Sequence, residues 1–303
     1  MYVLVTMRWF EDIRCVRLGS SDLDASVRFA TETIGLHLVR RDAGRAYLRA
    51  SPGRDHDLVY VRGDARRESL VFELGSAREL DDAVASLARD GHLVREGTRL
   101  ECEERLVDAM YSLTDPTGNR LELTRGLPAS TDCPWSRDAG ITSFSHVGLR
   151  TTDAPRDERF WTQSLGARVS DWIGDAALLR LDQVHHRIAL FPSRRPGVQH
   201  VNFQVAGIDD LMRSYYFLQR RGVPVVFGPG RHPTSGAMFL YFQGPDDIVY
   251  EYSWGVRLIT DERDHVPRRF PFEASSFCMW GARPDIPEFR AADSSGSPRE
   301  GTV

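Results

Sequence analysis

Short runs that alternate between apolar and polar positions recur along the chain. QHVNFQV (199–205), GAMFLYF (236–242) and IVYEYS (248–253) are short strand-like runs, and SFSHVGL (143–149) carries the period of two most clearly. That period places successive side chains on opposite faces of a sheet and predicts strands. Helical signals lie between the runs. Asp153 stands at an N-cap position before APRDERFWTQSLG, with Pro155 in the first turn and Gly166 at the end. Three strand-like runs follow, ARVSDW, AALLRL and HRIALF. QHVNFQV then opens another unit, with a helix from about Ile208 to Arg221 and strands VPVVF, GAMFLYF and IVYEYS. Each unit reads strand–helix–strand–strand–strand.

The same order recurs earlier in the chain. Residues 12–22 (DIRCVRLGSSD) match 143–153 (SFSHVGLRTTD) in hydrophobic–polar order when Asp22 is laid on Asp153. SLVFEL (69–74) resembles HVNFQV (200–205), and each is followed by an Asp pair, Asp81-Asp82 or Asp209-Asp210, that is expected to start a helix. GNRLELTRG (118–126) resembles DIVYEYSWG (247–255). Three matches in one order predict two homologous halves of two units each. A single such unit leaves open sheet edges, and pairing two covers them and encloses a barrel-like cavity. The expectation is an α+β fold with four βαβββ modules paired into two barrel-like domains. The first domain spans 1–127, a polar, Pro-containing linker 128–140, and the second domain 141–288. Within the second, Phe270, Phe272, Phe277, Met279 and Trp280 could form a lid over the barrel mouth or only cover apolar surface. Residues 289–303, rich in Ser, Gly and Pro, read as a disordered tail.

Composition narrows the classes. Two domains suit 303 residues, and a net charge of -4 argues against a nucleic-acid partner. The apolar runs are far shorter than the roughly 20 residues of a membrane span, and no secretion leader is evident at the start. All 39 basic residues are arginine, which excludes lysine chemistry. Cys15, Cys102, Cys133 and Cys278 lack zinc-finger spacing and read as reduced thiols of a cytoplasmic protein. Of nine histidines, five (His146, His185, His186, His200 and His232) fall between 146 and 232.

His146 and His200 lie on the first strands of modules three and four, and Glu251 lies on the last strand of module four between apolar neighbours. A buried carboxylate there is costly unless paired or metal-bound. Two histidines and one carboxylate leave adjacent coordination positions open, a set suited to non-haem Fe(II). In the first half these positions fall on Cys15, Ser69 and Glu122, so only one of three candidate ligands recurs. A requirement of the fold would recur in both halves, whereas a site need not. The run VHHRIALF is expected to be a strand, with His186 facing the interior and His185 the opposite side. His232 lies in a loop and Tyr241 on the strand after it, and both can move protons at neutral pH.

With these residues in place, the chain resembles the two-domain type I extradiol ring-cleavage dioxygenases of the vicinal oxygen chelate superfamily over about residues 12–288. SHVGL, VQHVNFQ and VYEYSWG match the family's ligand segments, VHHRIAL its acid–base segment, and GRHPTSGAMFLYFQGPDDIVYE its signature region. Gly244 and Asp247 depart from that signature at turn positions, where a local change of turn is expected. The resemblance implies His146, His200 and Glu251 as ligands of Fe(II), with Mn(II) also accommodated. It implies His186 as proton donor during O–O cleavage, and His232 and Tyr241 as hydrogen-bond partners of the substrate oxygens. The implied partners are a catechol-type substrate and O2, with no nucleic acid or membrane, in a homo-oligomer. Gly148, Trp172, Phe191, Thr234 and Ser235 flank these residues and are candidates for the pocket wall. Two other readings stay open: a metal-dependent isomerase, epimerase or thiol transferase built on the same modules, and a non-enzymatic small-molecule binding protein.

Overall fold

The computed structural model describes residues 9, 13–66, 68–130 and 137–290. Module one comprises β1 (Cys15–Ser20), α1 (Leu23–Arg28), β2 (His37–Arg41), β3 (Arg45–Arg49) and β4 (Leu58–Arg62). Module two comprises β5 (Ser69–Glu73), α2 (Ala77–Arg89), β6 (Arg95–Glu96), α3 (Arg99–Arg105), β7 (Ala109–Thr114) and β8 (Arg120–Arg125). Module three comprises β9 (Ile141–Thr151), α4 (Ala154–Arg159), β10 (Arg168–Ile173), β11 (Ala176–Arg180) and β12 (Ile188–Pro192). Module four comprises β13 (Val198–Val205), α5 (Ile208–Arg220), β14 (Val225–Arg231), β15 (Met238–Gln243) and β16 (Val249–Trp254). An extension adds β17 (Arg268–Phe270) and α6 (Ala274–Phe277). The fold is α+β, with four modules paired into two barrel-like halves.

The two halves are built alike. The first sheet runs β6-β7-β8-β5-β1-β4-β3-β2, and the second runs β14-β15-β16-β13-β9-β12-β11-β10, with β17 added at its end. Register agrees as well: Arg17 pairs with Ser69 and Val71 with Glu122, as Gly148 pairs with His200 and Asn202 with Glu251. Asp22 and Asp153 each cap a six-residue helix by accepting a backbone N–H, from Ala25 and Arg156. Both helices then loosen into a π-helical turn, Phe29–Ile34 and Phe160–Ser164.

One shared apolar core runs through both halves and includes Leu18, Phe72, Phe144, Trp161, Phe203 and Tyr252, all nearly or fully buried. Burying each such side chain contributes on the order of 2 kcal/mol. Polar contacts fix the junction. Tyr60 and Tyr250 hydroxyls meet at 2.6 Å, Tyr252 O–H donates to the Ile34 carbonyl at 2.7 Å, and Phe144 N–H donates to Ser51 Oγ at 2.9 Å. The end of the expected linker joins in, since Arg137 donates to the Thr33 carbonyl at 2.9 Å and stacks over Phe217. Residues 131–136, with Cys133, lie outside the described residues. No helix among the described residues is long and apolar enough to cross a membrane.

Several expectations need correction. α2 starts at Ala77, because Ser76 caps it by accepting from Glu79 N–H, so Asp81-Asp82 fall within the helix and do not begin it. Module two also carries an unforeseen helix, α3, opened by a Thr98–Glu101 capping box. In the Gly244–Ile248 turn, Asp246 and Asp247 both sit at positive φ. Of the expected lid residues, Phe277 is buried, whereas Met279 and Trp280 are exposed. Phe289, expected in a disordered tail, is buried in a short turn, Pro287–Phe289. Residues 291–303 lie outside the described residues.

Candidate metal centre

The strands β16, β13 and β9 are neighbours in that order, and each carries one candidate ligand: Glu251, His200 and His146. His146 sits two residues before Gly148, the partner of His200, and Glu251 pairs with Asn202, two residues after His200. An offset of two preserves the face, so all three side chains project to the same side. Their donor atoms converge. The two Nε2 atoms are 3.0 Å apart, and Glu251 Oε2 lies 3.0 Å from His146 Nε2 and 3.4 Å from His200 Nε2. All three residues are buried, and Glu251 Oε2 has no hydrogen-bond partner.

These facts fit a divalent ion. Donors about 2.1 Å from a common ion and at right angles to one another lie about 3.0 Å apart. Burial pushes the His146 imidazole down to about 4, which leaves it neutral. Burial alone would push the Glu251 carboxyl up, but His146, His200 and His232 outweigh it and hold it well below the usual range. A neutral imidazole and an ionised carboxylate are the protonation states that bind metal. The Gln199 side chain holds His200 Nδ1. Gly148 leaves room for that ring, since a Cβ there would stand 2.4 Å from His200 Nδ1.

The equivalent place in the first half is filled otherwise. Glu122 is fully buried, and Arg105 of α3 donates to it through Nε (2.6 Å) and Nη2 (2.8 Å). An arginine therefore compensates the carboxylate that a metal ion would otherwise have to neutralise. Cys15 adds no thiolate, because burial pushes its thiol up to about 12.

Two groups of side chains able to carry protons border the triad. The His186 ring lies 4.3 Å from that of His146, and His186 Nδ1 is 3.1 Å from His185 Nδ1. His185 Nε2 in turn is 2.9 Å from Asp171 Oδ2. His185 and His186 precede β12 and are not part of it, so strand alternation does not apply. His185 is fully buried instead of facing the opposite side. His232 Nδ1–H donates to the Phe277 carbonyl at 2.8 Å, which leaves Nε2 to accept from the Tyr241 hydroxyl at 3.2 Å. Burial, with Glu251 adding to it, pushes the Tyr241 hydroxyl well above its ordinary value and keeps it protonated.

Among the proposed wall residues, Phe191 lies 6.1 Å from the His200 ring. Trp172 does not reach the site: its Nε1–H donates to Glu158 at 2.7 Å and Arg269 stacks on it, on the helix-covered face. Strand alternation puts Asp171 and Ile173 on the other face. Thr234 and Ser235 are buried behind His232, with their carbonyls bound by Arg268 and the Arg257 amide. Sequence reasoning missed Asp171 and Phe289. An acid within the strand-like run ARVSDW marked the first, but nothing local marked the second. The Phe289 ring lies 5.8 Å from Tyr241 and 6.4 Å from His200. A cavity of about 760 Å³ at the junction of the halves, lined by Arg66, Glu68, Arg150 and Arg195, touches none of the ligands.

Residues 13–123 and 143–252 each match the model of the Glyoxalase/Bleomycin resistance protein/Dioxygenase superfamily. The chain is 26% identical to an iron-dependent extradiol dioxygenase of Rhodococcus jostii over 291 residues, 88% of this chain and 94% of that one. Its fold is similar to that of BphC, a halotolerant catechol dioxygenase, with a TM-score of 0.82 at 22% identity over 93% of this chain and 97% of that one. It is also similar to the Mn(II)-bound glyoxalase of Novosphingobium aromaticivorans, with a TM-score of 0.80 at 26% identity over 93% and 94% of the two chains.

Proposed function

The chain belongs to the Glyoxalase/Bleomycin resistance protein/Dioxygenase superfamily, and from that premise we propose that it is an extradiol dioxygenase. It opens the ring of a catechol beside the diol, and both atoms of O2 enter the product. The observation that carries this reading is one buried face on which His186 and the His232–Tyr241 pair flank His146, His200 and Glu251. The metal is Fe(II), in keeping with the iron-dependent relative, and the same ligand set accommodates Mn(II). When bound, the ion supplies a template that takes the diol oxygens and O2 side by side and removes the cost of their encounter.

The chain's own groups handle protons. Asp171 accepts from His185 Nε2–H, so His185 Nδ1 accepts from His186 Nδ1–H. That order leaves His186 Nε2 as the free base, able to take a diol proton and return it as the O–O bond breaks. Tyr241 has a single proton, which His232 Nε2 accepts in this structure; with a diol in place the hydroxyl turns to a substrate oxygen, and His232 Nε2 is then free to accept a diol proton.

The glyoxalase neighbour favours a second reading, metal-dependent isomerisation. The metal-ligating group among the described residues has three members, which leaves positions for both a chelating diol and O2. Oxygen uptake by Fe(II)-loaded protein across a panel of catechols tests the proposal, with a yellow ring-opened product expected. Protein that retains its iron and consumes O2 with no catechol would refute it.

A further inference from the structure

The face that carries the ligands also carries a second apolar cluster, separate from the shared core. Leu178, Phe191, Phe227, Phe277, Ile286 and Phe289 belong to it, each no more than 4% exposed. Phe289 is central. It stacks on Phe277 (5.2 Å, 25°) and lies 4.7 Å from Phe191, 6.0 Å from Phe227 and 5.8 Å from Tyr241. A catechol held by the triad and Tyr241 therefore directs its substituents among aromatic and aliphatic side chains.

Positive charge is present beside this cluster but already committed. Arg150 donates to Glu288 at 2.6 Å and to the Val198 carbonyl. Arg268 donates to Asp171 at 2.7 Å and to the Thr234 carbonyl at 2.8 Å. The Arg150–Glu288 pair sits next to Phe289 in the chain and is nearly buried on both sides. A substituent carboxylate would lose its hydration here and find both cations occupied, and buried charge without a partner is strongly disfavoured.

We infer that the site selects catechols whose ring substituents are uncharged and apolar, and that Phe289 is the wall those substituents meet. This rests on the extradiol reading and deepens it. The test compares 4-ethylcatechol with 3,4-dihydroxyphenylacetate, which match in ring position and nearly in size but differ in charge. For the Fe(II)-loaded protein, kcat/KM should favour 4-ethylcatechol by on the order of 100-fold. Anaerobic calorimetric binding should rank the pair the same way. Phe289→Arg should move the ratio toward the acid by at least about tenfold by supplying a charged hydrogen-bond donor. Circular dichroism and iron content would verify that this variant is intact.

Wild-type values for the two compounds within about threefold of each other, in turnover or in binding, would overturn the inference. So would an unchanged ratio in a folded, iron-loaded Phe289→Arg protein. If that variant does not fold, the wild-type comparison decides alone. If neither compound is opened, the binding comparison alone decides whether the pocket rejects charge, and the extradiol reading fails only if no catechol of the wider panel is opened either.

Discussion

Replacing Arg105 with leucine tests whether an arginine in the first half does the electrostatic work assigned to a metal ion in the second. Burial alone would push the Glu122 carboxyl up, but the two hydrogen bonds from Arg105 and the charges of Arg105, Arg17 and Arg120 hold it below the usual carboxylate range. Breaking a buried ion pair from one side costs about 3–5 kcal/mol. Arg120 remains, with Nε 3.5 Å from Glu122 Oε1, which favours the lower figure. Protonation caps the loss. An abandoned carboxyl with an unfolded pKa of about 4.3 can be neutralised at pH 7 for about 3.7 kcal/mol, at 1.36 kcal/mol per pH unit. The same cap falls to about 1 kcal/mol at pH 5. The sign follows from the depressed folded value: the stabilisation is present above the unfolded pKa and is lost as pH falls through the folded one. Urea unfolding at pH 7 and pH 5 should show Arg105→Leu destabilised by about 3 kcal/mol at pH 7 and by about 1 kcal/mol at pH 5. Adding Glu122→Leu should recover part of the loss at pH 7, because the abandoned carboxylate is gone, while the buried Arg17, which Glu122 also neutralises, limits the recovery. A deficit under about 1 kcal/mol at pH 7, or one that does not shrink at pH 5, would refute the reasoning.

Other tests bear on the site and the junction. His146→Ala and Glu251→Ala should each lose most of the bound iron by elemental analysis, and unchanged iron content in either would remove that residue from the ligand set. Asp171→Asn should lower kcat by about 10–100-fold with iron content kept, because it disturbs the hydrogen bonds that orient His186; an unchanged kcat would contradict that chain. Gly148→Ala should weaken metal retention, since its Cβ would crowd the His200 ring, and dialysis against a chelator would measure this. Tyr250→Phe should cost about 1–3 kcal/mol by leaving the buried Tyr60 hydroxyl without its partner, read from urea midpoints.

Much of the fold was legible because it repeats. Period-two runs and helix caps recur in order, and each match between halves supports the others. The Asp pair at 81–82 misled because cap chemistry at Ser76 outranks residue identity further along the helix. His185 misled because alternation holds only within a strand, and β12 begins at Ile188.

The sequence by itself determined the modular plan and the three candidate metal ligands. A carboxylate and two histidines at matched positions of strands that must pair can only converge or be wasted. Tertiary structure alone decided what surrounds them. Arg105 reaches Glu122 from a helix the pattern did not announce, Asp171 orients His186 through His185, and Phe289 returns from beyond the last module to wall the site. Each is a contact between segments distant in the chain, made by side chains whose local pattern suits a surface, a strand or a tail equally well. Only the packing of the sheets, which fixes which faces meet, tells these roles apart.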